Sequence, residues 1–263
     1  MGITPENRVV LITGGANGIG AALAAQCRAK GARVAVLDRV VCEKSQMSLI
    51  CDVGDANALR NAVEQVQEAL GPIDICVSNA GILSNGDQPL GTAEDWERCW
   101  RVNVMAHVNM AQAVLPDMVA RGSGWFVNVA SAAGLLNQIG DAAYSATKHA
   151  AVSFAESLAI THGADGIGVS VVCPQYVATG LIGLSDDDAS QSEALLTADD
   201  VADHILAALA EGTFRVLPHP DVARFAQMRA EDHDAWIRGM QRLRQRAVDE
   251  FGQAAPGAIY KLL

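Results

Sequence analysis

The chain is short of aromatic residues and of positive charge, and each shortage excludes a class of protein. Aromatic residues make up 5% of its 263 residues although 50% are hydrophobic, so the core is expected to be aliphatic. Nineteen Lys and Arg residues stand against 30 Asp and Glu residues, which gives a formal net charge of −11. Proteins that bind nucleic acids neutralise phosphates with Lys and Arg. The charge balance therefore argues against a nucleic-acid partner.

Long apolar runs and paired cysteines are also missing. No run reaches the roughly 20 apolar residues that a membrane-spanning helix needs, so no membrane partner is expected. Six cysteines are scattered singly, without the spacing of a metal site, and no metal is expected. No N-terminal signal pattern precedes them. These features predict buried thiols in a protein of the reducing cytoplasm.

What the first two thirds of the chain does have is an alternation of short apolar runs and longer amphipathic segments. Strands are predicted at 8–13, 33–38, 47–52, 73–78, 124–131 and 168–173. Helices are predicted at about 18–30, 55–70, 92–121 and 142–162, the second with Asp55 as its N-cap. Near-continuous apolar strands separated by helices are typical of a parallel sheet buried on both faces. The predicted fold is a doubly wound, Rossmann-like α/β sheet with helices on both faces.

The last third of the chain is more polar. Residues 179–192 include three consecutive aspartates and predict a mobile loop, and residues 180–196 form the expected substrate loop. A helix is predicted over 197–211, with Thr197 and Asp200 as an approximate capping box, and a short strand over 214–217. A charged amphipathic segment at 221–251, within a C-terminal extension at about 219–263, is predicted to be helical and to pack late or against a partner subunit. No linker divides the chain, so one domain is predicted over 1–263.

A glycine-rich turn, Thr13-Gly14-Gly15-Ala16-Asn17-Gly18-Ile19-Gly20, joins the first strand to the first helix. Glycines let backbone N–H groups approach a pyrophosphate closely, and the helix N-terminus favours negative charge. Asp38 ends the second strand, 18 residues after Gly20, where a carboxylate can accept hydrogen bonds from ribose hydroxyls and repel a 2′-phosphate. Arg39 beside it can stack on adenine. This pattern predicts a dinucleotide site that prefers NAD.

Three further motifs stand at later strand ends. Asn79-Ala80-Gly81 follows the fourth strand. Ser131 ends the fifth strand, and Tyr144 and Lys148 follow it in a Tyr-x-x-x-Lys motif on a predicted helix. Residues 174–179, Pro-Gln-Tyr-Val-Ala-Thr, follow the sixth strand.

These motifs together resemble the short-chain dehydrogenase/reductase family from about Val9 to Thr179. The chain has the family's TGxxxGIG turn, but Ser78 replaces the first Asn of its NNAG motif and Gln175 replaces the Gly of its PGxVxT motif. The resemblance implies that NAD is bound by residues of the turn, of the strand ends and of the YxxxK motif. These are Gly14, Asn17, Gly18, Ile19, Gly20, Asp38, Arg39, Asp52, Val53, Asn79, Ala80, Gly81, Tyr144, Lys148, Pro174, Val177 and Thr179.

The predicted catalytic residues are Asn103, Ser131, Tyr144 and Lys148. Residues four apart on a helix share one face, so Tyr144 and Lys148 are expected to point the same way. An unperturbed tyrosine has a pKa of about 10. An adjacent ammonium should lower that pKa and make the tyrosine a general base, while Ser131 holds the substrate oxygen. The resemblance implies that Lys148 also contacts the nicotinamide ribose, that Asn103 anchors a water, and that the activity is NAD-dependent interconversion of a secondary alcohol and a ketone.

The predicted substrate site is largely apolar, which favours an apolar or aromatic alcohol or ketone. Its expected wall comprises Ser131, Ala132, Leu135, Leu136, Gln138, Gln175, Tyr176, Leu181 and Ile182. Gln175 is expected to narrow the mouth or to hydrogen-bond the substrate, unless it points to solvent. His219 and Trp236, in the C-terminal segment, are expected to lie away from the cleft.

Other functions stay open at this point. An NAD-binding sensor or scaffold with a relic site is one, although the intact catalytic set argues against it. An epimerase or dehydratase acting on a nucleotide sugar is another, but such relatives have longer C-terminal regions, and related enoyl reductases space Tyr and Lys further apart. The resemblance also implies a homo-oligomer, with a tetramer favoured over a dimer, formed through segments 92–121, 142–162 and 214–217.

Overall fold

A seven-stranded parallel sheet forms the centre of the molecule. The computed structural model describes residues 2–43, 45–84, 90–190, 192–254 and 259–262. The strands of the sheet are β1 (Val9–Thr13), β2 (Arg33–Asp38), β3 (Met47–Ile50), β4 (Ile75–Ser78), β5 (Gly124–Val129), β6 (Ile167–Val172) and β9 (Arg215–Val216). Their spatial order is β3-β2-β1-β4-β5-β6-β9. The order reverses between β1 and β4, which makes this the switch point where such sheets bind ligands.

Helices cover both faces of the sheet. They are α1 (Gly18–Ala29), α2 (Ala56–Leu70), α3 (Ala93–Trp100), α4 (Ala106–Arg121), α5 (Ala133–Leu136), α6 (Ala142–His162), α7 (Asp186–Ala189), α8 (Ala198–Glu211), α9 (Asp221–Glu231) and α10 (His233–Phe251). Along β1, Val9 and Leu11 pack on the face with α2, α4 and α6, while Val10 and Ile12 pack on the face with α1 and α8. Both faces are therefore buried, and the predicted doubly wound α/β fold is confirmed.

Several predicted strand ends are wrong by two residues. The third strand ends at Ile50, which is 64% exposed at the sheet edge, so Asp52 and Val53 lie in the following loop. The fifth strand ends at Val129, which places Ser131 in the turn before α5. Apolar runs extend past the last ladder hydrogen bond because loop residues at this edge are also buried.

The predicted helix over 92–121 is interrupted. A π-helical turn at Arg101–Met105 separates α3 from α4 and contains Asn103. A π-helical turn widens the helix by one residue, and such turns occur frequently at functional sites. The side chains of Cys99 and Met110, on either side of the turn, are both fully buried.

The last third of the chain is more structured than predicted. The predicted loop contains α7, and short strands β7 (Tyr176–Val177) and β8 (Leu195–Leu196) pair across its ends. The segment at 221–251 divides into α9 and α10 at Asp232, whose carboxylate accepts a hydrogen bond from Ala235 N. These helices pack against their own chain: Val222 lies against Leu136, and Ala247 lies near Tyr176.

The six cysteines are all buried and unpaired, as predicted for core thiols. In the described ranges, no helix has the length and apolar character needed to cross a membrane. No group of three or more His, Cys, Asp or Glu residues suited to a metal ion occurs in the described part of the chain.

The predicted capping box of α8 is confirmed and generates a stability prediction. Thr197 Oγ1 accepts a hydrogen bond from Asp200 N at 3.1 Å, and Asp200 Oδ2 accepts one from Thr197 N at 2.8 Å. Thr197→Ala should lower the free energy of unfolding by about 1 kcal/mol, because a helix N–H loses its acceptor. Thr197→Ser keeps the oxygen and should stay within about 0.5 kcal/mol of the parent. Urea unfolding measures both, and an equal loss in the two variants would contradict the capping argument.

Candidate functional site

A cleft of about 620 Å³ opens at the carboxyl edge of the sheet, over the switch point. Most of the predicted cofactor and catalytic residues line it. From that set they are Gly14, Asn17, Gly18, Ile19, Asp38, Arg39, Asp52, Val53, Asn79, Ala80, Gly81, Ser131, Tyr144, Lys148, Pro174, Val177 and Thr179. Gly20 and Asn103 lie behind the wall. A Cβ on Gly20 would overlap the carbonyl of Gly14, so Gly20 allows the turn and α1 to pack closely.

The glycine-rich turn leaves the cleft floor bare of side chains. Gly14 and Gly18 have φ values of +64° and +51°, a region that favours glycine. A Cβ on Gly18 would come within 3.2 Å of Thr179 Cγ2 on the opposite wall and would narrow the cleft there. Backbone amides at the start of α1 therefore face a space open to a phosphate group. The cleft fits a dinucleotide on these grounds.

Asp38 stands at the end of β2, beside the turn. Its Oδ2 accepts a hydrogen bond from Ala16 N at 2.9 Å, and its Oδ1 accepts one from Arg39 N at 2.6 Å. Oδ1 also accepts a hydrogen bond from Val40 N at 3.4 Å. A carboxylate oxygen has about two acceptor positions, so Oδ2 keeps capacity for a hydroxyl donor. The backbone thus orients an anionic acceptor toward the cleft.

Ser131, Tyr144 and Lys148 meet on the wall opposite the turn. Ser131 lies beside Tyr144, and its side chain acts to lower the pKa of the tyrosine hydroxyl. Lys148 Nζ lies 5.6 Å from the centre of the Tyr144 ring and donates a hydrogen bond to Val129 O at 3.0 Å. Ser131 Oγ accepts a hydrogen bond from Ala133 N at 3.0 Å, which fixes the hydroxyl at the start of α5. The three side chains form a contiguous polar patch in an otherwise aliphatic region.

The expected lowering of the tyrosine pKa by the lysine is wrong for the protein without ligand. Burial raises the pKa of Tyr144 to about 12, and the side chain of Ser131 opposes that rise only in part. Burial also lowers the pKa of Lys148 to about 8. Desolvation penalises both charged forms, and at 5.6 Å from the ring the ammonium does not outweigh it.

Two buried polar side chains position this patch from behind. Asn103 Nδ2 donates to Ile82 O at 2.9 Å and to Thr147 Oγ1 at 3.1 Å, and Asn103 Oδ1 accepts from Ile82 N. It thereby joins the segment after β4 to the helix that carries Tyr144. Asp141, which the motifs did not identify, caps that helix by accepting from Tyr144 N at 2.9 Å. An Asp three residues before the tyrosine is the N-cap signal that could have found it.

His219 lines neither cavity, as expected, but it bonds to the backbone of the turn that carries Gln175 and Tyr176. Its side chain is buried, with the residue 7% exposed. Its Nδ1 accepts a hydrogen bond from Gln175 N at 3.1 Å, and its Nε2 donates to Tyr176 O at 3.0 Å. This pair of roles requires the neutral ring with the proton on Nε2, and burial lowers the pKa of His219 from its usual range. The histidine holds the backbone of the turn after β6.

A second cavity of about 530 Å³ adjoins the cleft, and sequence reasoning did not predict it. The two cavities share Ser131, Gln138, Gln175 and Tyr176. Trp236, expected to lie away from the site, lines the second cavity with other residues of α9 and α10. These residues form no sequence motif, because an apolar wall requires apolar side chains rather than particular residue types.

The other predicted substrate residues lie in three different places: the second cavity, the cleft and the core. Ala132 and Leu136 line the second cavity, whereas Leu181 and Ile182 line the cofactor cleft. Leu181 is 45% exposed there. Leu135 lines neither cavity and packs against the core instead.

Two arginines that the motifs did not identify, Arg98 and Arg101, also line the cleft. Arg101 lies near the loop at Asp52 and Gly54. His107, expected to be a packing residue, is fully enclosed. Its Nδ1 bonds to Asn128 Oδ1 at 2.9 Å, and burial lowers its pKa to about 4.

The chain resembles known oxidoreductases over most of its length. A protein named short-chain dehydrogenase/reductase olcF from Penicillium canescens is 32% identical over 242 residues, which cover 89% of this chain and 93% of that protein. A meso-2,3-butanediol dehydrogenase from Serratia marcescens is 34% identical over 186 residues, which cover 67% of this chain and 74% of the relative.

Solved structures and a family profile agree with these relatives. A short-chain dehydrogenase/reductase from Burkholderia phymatum, solved in complex with NAD, superposes with a TM-score of 0.78 at 26% identity. The match covers 89% of this chain and 96% of that chain. The profile described as short chain dehydrogenase matches residues 8–189. The chain therefore belongs to the short-chain dehydrogenase/reductase family of oxidoreductases.

Proposed function

We propose that the chain is an NAD-dependent oxidoreductase that interconverts a secondary alcohol and a ketone. One observation carries the proposal: Ser131, Tyr144 and Lys148 together line the wall of the cleft, with Lys148 Nζ 5.6 Å from the centre of the Tyr144 ring. A hydroxyl pair next to a buried cation is suited to binding an alcohol oxygen and moving its proton. The family's oxidoreductase chemistry needs that proton transfer in addition to the cofactor.

In this proposal each side chain has a separate task. Ser131 Oγ hydrogen-bonds the substrate oxygen and holds it at the Tyr144 hydroxyl. Tyr144 accepts the proton during oxidation and returns it during reduction. Lys148 stabilises the phenolate and binds the nicotinamide ribose, while Asn103 keeps the helix of Tyr144 in place and anchors a water for proton relay. When bound, oxidised NAD would supply the hydride acceptor for alcohol oxidation and a positive charge in the cleft.

The proposed NAD site uses the residues that line the cleft. Backbone amides of the glycine-rich turn hold the pyrophosphate, and Asp38 accepts from the adenosine ribose. Asp52, Val53 and Arg39 surround the adenine. Asn79, Ala80 and Gly81 form the floor, and Pro174, Val177 and Thr179 hold the carboxamide.

The proposed substrate is an apolar or aromatic alcohol or ketone that enters beside Gln138, Gln175 and Tyr176. Gln175 lines both cavities, and in this proposal its side chain narrows the passage or hydrogen-bonds the substrate. Burial raises the pKa of the neighbouring Tyr176 to about 12, so its hydroxyl stays neutral at this passage. We further propose a cytoplasmic homo-oligomer, with a tetramer favoured, and one domain over residues 1–263.

Tyr144→Phe tests the proposed chemistry. The variant keeps the buried ring and removes the hydroxyl, so turnover of secondary alcohols should fall by about 10²–10⁴-fold, the range typical of general acid–base catalysis. NADH absorbance measures turnover, and fluorescence titration measures the NAD dissociation constant, which should change less than about threefold because only one cleft oxygen is lost.

The same variant decides between an enzyme and a sensor or scaffold. A Tyr144→Phe variant that binds NAD, melts at the parental temperature and retains the parental turnover would overturn the catalytic role. If the parent binds NAD but oxidises no alcohol and reduces no ketone, the scaffold alternative gains support.

Asp38 generates a prediction about cofactor choice. Asp38→Ala should raise the ratio of kcat/KM with NADP to that with NAD by about tenfold or more, because a like charge next to the 2′-phosphate disappears. Asp38→Asn removes the charge at nearly constant shape and should move the ratio in the same direction. Steady-state kinetics with both cofactors measure the change. Parental use of NADP equal to that of NAD would remove Asp38 as the selector.

His219 generates a prediction about pH. Its folded-state pKa is lowered by burial, so the folded protein favours the neutral ring, and stability should be lost as pH falls below about 6.5. Protonation would place a hydrogen on Nδ1, which would then face the Gln175 N–H with no acceptor between the two donors. The turn at 174–176 would move as a result. KM for the substrate should therefore rise in acid while kcat changes less. The nearby His204 is the other titratable group at this position, and it also lowers the pKa of His219.

Two variants separate this effect from general acid instability. His219→Phe removes both hydrogen bonds and should raise KM about tenfold at pH 7.5, since each bond contributes roughly 0.5–1.5 kcal/mol. Its KM should then be flat between pH 5 and 8. His219→Asn restores one acceptor and should lie between the parent and the Phe variant. An unchanged acid rise of KM in His219→Phe would assign the effect to another group.

A further inference from the structure

The second cavity lies between the turn that carries Ser131 and the helices α9 and α10. It meets the cofactor cleft at Ser131, Gln138, Gln175 and Tyr176. We propose that it holds the body of a large, uncharged apolar ketone or secondary alcohol, a ring system or chain of about ten carbons, whose reacting carbon lies at Ser131. This inference rests on the proposed function and adds the substrate class.

The walls of the cavity are apolar on both sides. Phe225 and Met228 of α9 and Trp236, Met240 and Leu243 of α10 form one wall, and Leu136 and Ile139 contribute to the other. The rings of Phe225 and Trp236 lie 6.2 Å apart at 48°, which forms an aromatic corner. Methionine side chains are flexible and adapt to irregular shapes. Such a surface favours a bulky hydrocarbon over a polar group.

The second cavity has a larger volume than a small alcohol or ketone would fill. Pockets of about 300–1,000 Å³ bury ligands of drug size, and this one has about 530 Å³ beside the reacting groups. A four-carbon alcohol would leave most of the wall exposed to water. Each methylene group buried there should improve binding by about fourfold. Binding energy from that body is available to position the reacting carbon at Ser131.

Internal packing holds the walls in place. Ala247 of α10 and Tyr260 are buried with Tyr176 in one cluster, in which the Tyr176 and Tyr260 rings lie 6.1 Å apart. Val222 of α9 is buried against Ala132 and Leu136. Both helices are therefore attached to the segments that carry Ser131 and Tyr176. Movement of either helix would alter the approach to the reacting carbon.

The charged residues that line the second cavity argue against a coenzyme A thioester as the substrate. Two carboxylates, Glu231 and Asp232, and one guanidinium, Arg242, are among its lining residues. Asp232 caps α10 and Glu231 accepts a hydrogen bond from Gln227 at 2.7 Å, so both acids are held locally. A coenzyme A arm would bring further negative charge to this surface of a chain with net charge −11. A free apolar compound meets no such repulsion.

A size series tests the inference by kinetics. With NAD, kcat/KM should rise at least tenfold from butan-2-ol to decan-2-ol and 2-decalol, and acetoacetyl-CoA with NADH should be a poorer substrate than 2-decalone. Ala235→Phe and Met228→Trp fill the cavity from α10 and α9. Each should lower kcat/KM for 2-decalol at least tenfold more than for butan-2-ol. Arg238→Phe, at an exposed position of α10, is the matched control and should leave the ratio unchanged.

Binding to the protein without cofactor gives a second readout. Titration with 2-decalone should quench tryptophan fluorescence saturably in the parent and in Arg238→Phe. Trp236→Phe should lose that signal, and Ala235→Phe should weaken the binding. Thermal unfolding of every variant checks that it is folded.

The outcomes separate the two proposals. If small alcohols are oxidised but size gives no advantage, or if the filling variants treat all sizes alike, the cavity inference is wrong and the proposed function stands. If acetoacetyl-CoA is the better substrate, the inference of a free apolar substrate is wrong. If 2-decalone binds saturably but no alcohol is oxidised, the cavity is a ligand site and the proposed function fails.

Discussion

Parallel register is the constraint on which the rest of the structure depends. Because all seven strands run the same way, every carboxyl end lies at one edge, and the side chains that follow β1, β2, β4, β5 and β6 converge there. Because helices bury both faces of the sheet, polar side chains are accommodated at that edge instead. The cofactor cleft and the catalytic patch both follow from this geometry.

Convergence alone does not position the reacting groups. Buried hydrogen bonds do this: Asn103 joins the π-helical turn to α6, Asp141 caps α6, and His219 holds the turn after β6. Each of these side chains bonds to backbone of another segment, and each is nearly inaccessible to solvent. An unpaired polar group at such a position is costly, so the three bonds fix segments that would otherwise move independently.

The sequence predicted most of the framework and most of the residues that line the cleft, because those features depend on local patterns. Apolar runs located the six main strands, Asp55 and Thr197 were correctly assigned as caps, and the spacing of Gly14, Gly18 and Asp38 identified the cleft. Strand ends were less exact, as at Ile50 and Val129, because buried loop residues continue the apolar run.

Features that depend on tertiary contacts could not be predicted in this way. The π-helical turn at Asn103 has no residue signature, and the second cavity depends on where α9 and α10 dock. His219 acts through backbone atoms of residues 175 and 176, which a motif search does not link to it. The pKa of Tyr144 was expected to fall but is raised, since the degree of burial is set by the whole fold.

The docking of α9 and α10 also divides the chain into two parts with different freedom to change. The family profile ends at residue 189 and includes Ser131, Tyr144 and Lys148, whereas His219 and the wall of the second cavity that α9 and α10 form lie beyond it. Substitutions along α9 and α10 can reshape the space beside Ser131 without disturbing the hydrogen bonds that hold Tyr144. Under the proposed function, α9 and α10 would shape substrate preference from a stretch of chain separate from the proposed catalytic residues, and a graft of these helices is a route to new specificity.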